Sequence, residues 1–281
     1  MHIRVLGPID ITAGDREIRL AGQRQRALLA ALVLDHGKVV PVARLVDALW
    51  DGCPPATART KIHAHVSALR HAFGDHGTEM LTTCAPGYML RDVDVDLIEF
   101  KTLTSRGMAA AASRDPAAAS GHLAAALALW RGRPFADVAS ALITDAAAGI
   151  EERRLLTMEA KAEADLALGR PDVVAAQLGE WLGEYPLRER LRALLMLALC
   201  RLGCRAEALT LYRDGRQAIV DELGLEPGPE LRNLHQRILA EQPGRPAERA
   251  RPAARPRAPI LRTSSYAYSS YSLTSEMRSR I

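Results

Sequence analysis

The sequence predicts a mostly α chain with a small β component: an N-terminal domain in which short strands flank three helices, followed by a longer all-α domain of paired helices. Three observations carry this reading. Ala and Leu dominate an apolar fraction of 48% whereas aromatic residues supply only 4%, a balance that favours helices over a β-sandwich. Apolar positions recur at helical spacing from Gln23 to about Ala240, interrupted between Gly74 and Leu97 by strand-like runs. A segment from Ala164 aligns with one from Ala198 at an offset of 34 residues, the mark of a helical repeat. At 281 residues, two domains and a tail are expected, with divisions at 1–96, 97–241 and 242–281.

The first elements are strands. IRVLG, IDIT and EIRL alternate in polarity and are separated by Gly7-Pro8 and by Ala13-Gly14-Asp15, so residues 3–20 read as a small antiparallel meander. From Gln23 the period becomes helical, with Ala27, Leu28, Ala31, Leu32 and Leu34 on one face and Gly37 closing the helix; Arg24 and Arg26 fall in its first turn. A second helix starts beyond Pro41, carries Leu45, Val46, Leu49 and Trp50, and breaks at Asp51-Gly52-Cys53-Pro54-Pro55. The third begins with Thr57 as its expected cap and carries Ile62, Val66, Leu69 and Phe73. Beyond Gly74, MLTT and YMLR flank Cys84-Ala85-Pro86-Gly87, which reads as a hairpin.

From Leu97 to Ala240 the pattern is helical, punctuated at Arg114-Asp115-Pro116, Gly132-Arg133-Pro134, Gly169-Arg170-Pro171, Tyr185-Pro186 and Gly203-Cys204-Arg205. The 34-residue offset superimposes Ala164 on Ala198, Leu168 on Leu202 and Gly169 on Gly203, as in tetratricopeptide-like repeats, whose stacked helix pairs leave a concave face for a partner. Past Gln242 the composition turns to Pro, Arg and Ala and then to SSYAYSSYSLTS, which predicts a disordered tail.

Charge narrows the functional classes. Residues 1–97 hold 11 basic and 11 acidic side chains, residues 98–241 hold 18 and 20, and residues 242–281 hold 8 and 2, so the basic excess behind the net charge of +4 resides in the tail. Any case for nucleic-acid binding therefore rests on local pattern. That pattern is found in ARTKIHAHVSALRHAF. With its apolar stripe turned inward, Arg59, Thr60, Lys61, His63, Ala64, Ser67, Arg70 and His71 turn outward or to its flanks, and no carboxylate occurs between Asp51 and Asp75. Such a face can approach phosphates without repulsion and offer donors to base edges. Its place after two short helices and before a Pro-Gly hairpin is that of the recognition helix of a winged helix, with Gly87, Tyr88 and Arg91 on the wing. Arg24 and Arg26 stand where helix-start amides also attract a phosphate.

The runs GQRQRALLAALVLDHGKVV, LVDALW, PPATARTKIHAHVSALRHAFG and PGYMLR resemble the OmpR-type winged helix of the Streptomyces antibiotic regulatory protein family. ALALWRGRPFADV, EERRLLTMEAKAEADLALGR, EYPLRERLRALLMLALCRLGCRAEALTLYRDGR and ELGLEPGPELRNLHQRIL resemble that family's bacterial transcriptional activation domain, and the likeness extends over about residues 1–241. The resemblance implies an activator of secondary-metabolite gene clusters that binds direct repeats in double-stranded promoter DNA as a head-to-tail homodimer. It also implies contact with RNA polymerase, including its sigma factor. The recognition helix would be Thr57–Phe73 and the wing about Met80–Arg91. His63 and His65 depart from the residues common in the family, so an operator sequence does not carry over.

Other classes find less support. No GxxxxGK[ST] loop, GxSxG elbow or HExxH helix occurs, and neither enzymatic activity nor a cofactor is expected. His63-x-His65 with Cys53 matches no structural zinc spacing, so no metal is expected. The four cysteines are scattered, which predicts free thiols. No signal peptide or span of about 20 apolar residues is evident, which predicts a cytoplasmic protein away from membranes. A repeat-based interaction scaffold and a ligand-gated regulator are the alternative readings.

Overall fold

The computed structural model describes residues 1–240, and the predicted tail lies outside them. The chain opens with β1 (His2–Arg4), β2 (Asp10–Ala13) and β3 (Arg16–Glu17), an antiparallel meander as expected. Helices α1 (Gln23–Leu34), α2 (Val42–Trp50) and α3 (Ala58–Phe73) follow, with β4 (Val40–Pro41) between the first two. After the short α4 (Gly77–Met80) come β5 (Leu81–Cys84), β6 (Gly87–Leu90) and β7 (Asp94–Val95). One sheet has the order β3-β2-β1-β7, with β7 parallel to β1; the other has the order β4-β6-β5. The rest is helical: α5 (Asp96–Ala112), α6 (Pro116–Ala128), α7 (Ala141–Ala167), α8 (Pro171–Glu184), α9 (Glu189–Arg201), α10 (Arg205–Leu223) and α11 (Pro229–Ala240).

Helix α1 is buried on every side from Ala27 to Val33, because it is packed among α2, α3, β6 and α7. Seven consecutive apolar residues therefore replace the one-sided stripe that its sequence suggested. Helix α2 ends where Asp51 and Gly52 both adopt positive φ, 45° and 86°. Helix α3 buries Ala58, Ile62, Val66, Leu69 and Phe73, but Thr57 makes no side-chain cap bond, contrary to expectation. Its φ of −93° and ψ of 15° lie outside the extended conformation from which a capping hydroxyl reaches the first-turn amides.

The helical part is a series of hairpins whose turns repeat bond for bond. Leu168, Gly169 and Arg170 donate their N–H groups to the carbonyls of Ala164, Leu166 and Asp165; Leu202, Gly203 and Cys204 donate to Ala198, Cys200 and Leu199. The 34-residue offset is thus the spacing of two equivalent helix stops, each with a glycine at positive φ (70° and 79°). A third copy joins α5 to α6, where Ser113, Arg114 and Asp115 donate to Ala109, Ala111 and Ala110. Arg114 takes the glycine's place at φ 59°, and this copy lies outside the 34-residue register of the other two. Asp115 caps α6 by accepting the Ala118 N–H at 3.0 Å, and Pro116 opens the helix. Helices α5 and α6 approach closely because Gly107 lies against the Leu123 side chain, leaving no room for a Cβ.

The expected division near residue 96 is a change of architecture, but the two parts share a core. Leu97, Phe100, Ala126, Phe135, Ile143, Ala147 and Ile150 cluster with Ile3, Leu6, Leu28, Leu45 and Leu69. The connector between α6 and α7 completes the junction: Arg131 and Phe135 donate backbone N–H groups to Leu6 and Val5 carbonyls at 2.8 and 2.9 Å. The buried Asp96 carboxylate accepts the N–H groups of Val5 at 2.8 Å and Leu6 at 3.0 Å. Desolvation raises its pKa, and those bonds together with Arg131 oppose the shift.

Candidate nucleic-acid interface

The face expected to read DNA is built by the pitch of α3. With its stripe sunk into the core, Arg59, Thr60, Lys61, His63, Ala64, Ser67 and His71 are all exposed. The first turn of α3 has no acidic residue, and Arg59 and Lys61 have no ion pair among the described residues. The outward face therefore combines fixed cations with hydroxyl and imidazole donors.

The wing stands beside this helix. β5 and β6 pair in register from Leu81 opposite Leu90 to Cys84 opposite Gly87, through a turn with a cis Ala85–Pro86 bond. β6 also pairs with β4, and there Gly87 lies so close to the Val40 carbonyl that a Cβ would overlap it. Gly87 is accordingly buried and structural, not a surface contact of the wing. Tyr88 is also buried, 3% exposed: its side chain turns back to α3, where its hydroxyl meets His63 Nδ1 at 2.5 Å.

Arg70, expected to be an outward base reader, is instead half-buried between helix and wing. Its Nε donates to the Leu81 carbonyl at 2.8 Å and its Nη2 to Thr83 Oγ1 at 2.9 Å, while the guanidinium lies 5.9 Å from the Tyr88 ring centre. These bonds take Nε and one Nη2 hydrogen, so Arg70 fastens the wing to α3 by one edge of its guanidinium. Thr83, not anticipated from the sequence, is the exposed wing residue that accepts this bond.

At the start of α1, Arg24 is exposed and its guanidinium lies 5.7 Å from the Trp50 ring centre. Arg26 points the other way, toward the connector, where its Nε pairs with Asp137 at 3.0 Å. Asp137 also accepts the Ile9 N–H at 2.8 Å, so Arg26 serves the junction between the two parts rather than the outer surface. Gln23, Arg24, Leu49, His65 and Ala139 line an open cleft of about 470 Å³. Burial and the nearby Arg24 and Lys61 cations lower the His65 pKa, which favours its neutral form. Arg91 is exposed on the far end of the wing, 3.4 Å from Asp92.

Among the described residues no group of three or more His, Cys, Asp or Glu is placed to hold a metal ion. No described helix is long and apolar enough to cross a membrane.

Comparison with known proteins accounts for both parts. The family described as "Bacterial transcriptional activator domain" matches residues 95–239, and that described as "Transcriptional regulatory protein, C terminal" matches residues 15–90. The regulatory protein DnrI of Streptomyces peucetius is 34% identical over 256 residues, which span 87% of this chain and 94% of DnrI. The transcriptional regulator RedD of Streptomyces coelicolor is 35% identical over 252 residues, 86% of this chain and 71% of RedD. The transcriptional regulatory protein EmbR of Mycobacterium tuberculosis is 38% identical over 245 residues, 85% of this chain but 63% of EmbR. The structure of that EmbR in complex with a low affinity phosphopeptide superimposes with a TM-score of 0.81 at 36% identity, covering 87% of this chain and 66% of the EmbR chain. The chain thus spans slightly less than two thirds of EmbR. These matches identify a mostly helical protein with a winged-helix region before a helical domain, and the chain belongs to the Streptomyces antibiotic regulatory protein family of transcriptional regulators, which are not enzymes.

Proposed function

We propose that this chain is a pathway-specific activator of a secondary-metabolite gene cluster, acting on promoter DNA in the cytoplasm at the nucleoid. The observation that carries the reading is the exposed, carboxylate-free face of α3 beside a braced wing. In this account α3 enters the major groove, with Arg59, Thr60, Lys61, His63, Ala64, Ser67 and His71 toward the duplex. Arg24 and Arg91 meet flanking phosphates, whereas Arg26, Arg70, Gly87 and Tyr88 hold the reading surface in shape. Likeness to DnrI and RedD supports an antibiotic pathway as the target. Two copies arranged head to tail would occupy direct repeats about one helical turn apart. The hairpin repeats would engage RNA polymerase, including its sigma factor, as partner.

Binding of the full chain to promoters of its neighbouring genes and to scrambled duplex at about 150 mM salt tests this reading, with Lys61→Ala alongside. Preferential binding to a promoter, weakened by the substitution and with a salt slope shallower by about 0.9, is expected if Lys61 meets a phosphate. Equal binding to both duplexes would instead favour a helical-repeat scaffold.

A further inference from the structure

The contact between Tyr88 and His63 joins a buried group to an exposed one. The Tyr88 hydroxyl is buried within the wing, and its one hydrogen-bond partner among the described residues is His63 Nδ1. A buried hydroxyl proton requires an acceptor. If Nδ1 carried the hydrogen and donated to the Tyr88 oxygen, the phenolic proton would have none. The satisfied arrangement has Tyr88 donating to Nδ1, which puts the imidazole hydrogen on Nε2. Burial also raises the Tyr88 pKa, so the phenol keeps its proton. The rings meet edge to face with centres 6.0 Å apart, and Arg70 braces Tyr88 from the other side. His63 is exposed, and Nε2 has no protein partner among the described residues.

We propose that His63 is a specificity-determining residue that presents a fixed Nε2–H donor to one base pair, with Tyr88 as the positioning residue that selects its tautomer. The proposal rests on the reading of α3 as the helix that enters DNA. In the major groove a lone donor can pair with N7 or O6 of guanine, N7 of adenine or O4 of thymine, but not with the amino groups of adenine and cytosine. Guanine alone offers two adjacent acceptors and no donor or methyl group on this edge, so the base pair opposite His63 is expected to favour guanine and to disfavour cytosine most. An imidazole with both ring nitrogens free would interconvert its tautomers, present donor or acceptor alike at Nε2, and discriminate less.

The test is selection of bound sequences from a random duplex library by the full chain, Tyr88→Phe and His63→Ala, with thermal midpoints measured on each. The parent is expected to select guanine at one position per half-site. Both variants should relax that preference by roughly 3- to 10-fold while leaving the other positions unchanged, as expected for the loss of one hydrogen bond. If the parent selects a sequence and both folded variants keep every preference, the assignment of His63 and Tyr88 fails and the reading of α3 stands. If the parent selects no sequence, the reading of α3 fails and takes the assignment with it. The 15N shifts of the His63 ring in the parent give a second test that needs no variant to fold. The Nε2–H tautomer is expected for the neutral ring, and an Nδ1–H tautomer would overturn the proposal.

Discussion

Replacement of Phe100 by Ala tests whether the winged helix and the helical hairpins are stabilised as one body. Phe100 lies in the first turns of α5, is 0% exposed, and meets Trp130 edge to face at 5.3 Å between ring centres. It belongs to a core that reaches Leu28 of α1 and Leu69 of α3 on one side and Phe135 and Ile143 on the other. Removing a fully buried phenyl ring costs about 3–5 kcal/mol, through lost transfer energy and the cavity left behind. With an m-value near 3 kcal/mol/M in urea, the midpoint should fall by roughly 1 to 2 M. The three tryptophans sit in α2, the connector and α8, so 19F spectra of fluorotryptophan-labelled protein follow Trp50, Trp130 and Trp181 together. All three midpoints should coincide in the parent and move together in Phe100→Ala. A Trp50 midpoint that stays fixed while Trp130 and Trp181 move would refute the shared core.

Three further outcomes follow from particular contacts. In Gly215→Ala the new methyl would overlap Arg192, whose buried guanidinium donates to the Leu211 carbonyl at 2.9 Å and the Pro186 carbonyl at 2.6 Å. Calorimetry should show a loss of about 3 kcal/mol or more, whereas Gly149→Ala, with open space around it, should be neutral or stabilising by up to about 1 kcal/mol. Asp96→Asn replaces one acceptor oxygen with an NH2 group that faces backbone donors. Denaturant unfolding should register a loss of about 1–3 kcal/mol. Because the His65 pKa is lowered in the folded chain, the unfolded chain binds the proton more readily, and stability should decline as pH falls below about 6.5 toward the folded pKa. His65→Gln should flatten that decline in a pH series of urea midpoints, and an unchanged slope would show that His65 does not cause it.

The periodicity of α3 was legible because its buried residues recur every three or four positions and its outward face holds no acid, both properties of a contiguous segment. The repeat was legible for the same reason, since two glycine-bearing turns lie 34 residues apart. The third turn was not, because it lies outside that spacing and Arg114 takes the left-handed conformation in place of glycine. Among the site residues, the sequence placed Arg59, Lys61, His63 and Ser67 on the exposed face where they lie. It misplaced Arg70, Tyr88 and Arg26, whose surroundings depend on groups distant along the chain. Arg70 is held by residues 11 and 13 positions away, and Tyr88 turns to a histidine 25 positions away. Arg26 meets Asp137 on a connector that no local pattern links to α1. Side-chain direction on a helix follows from periodicity, but a partner brought in by tertiary packing does not.

Dimethyl sulfate interference on a bound promoter duplex tests most directly whether α3 reads DNA from the major groove. Methyl groups at guanine N7 lie in the major groove and those at adenine N3 in the minor groove. The account predicts that N7 methylation abolishes binding at discrete guanines on one face of the duplex, in two clusters about one helical turn apart. Binding that tolerates N7 methylation everywhere would contradict the account.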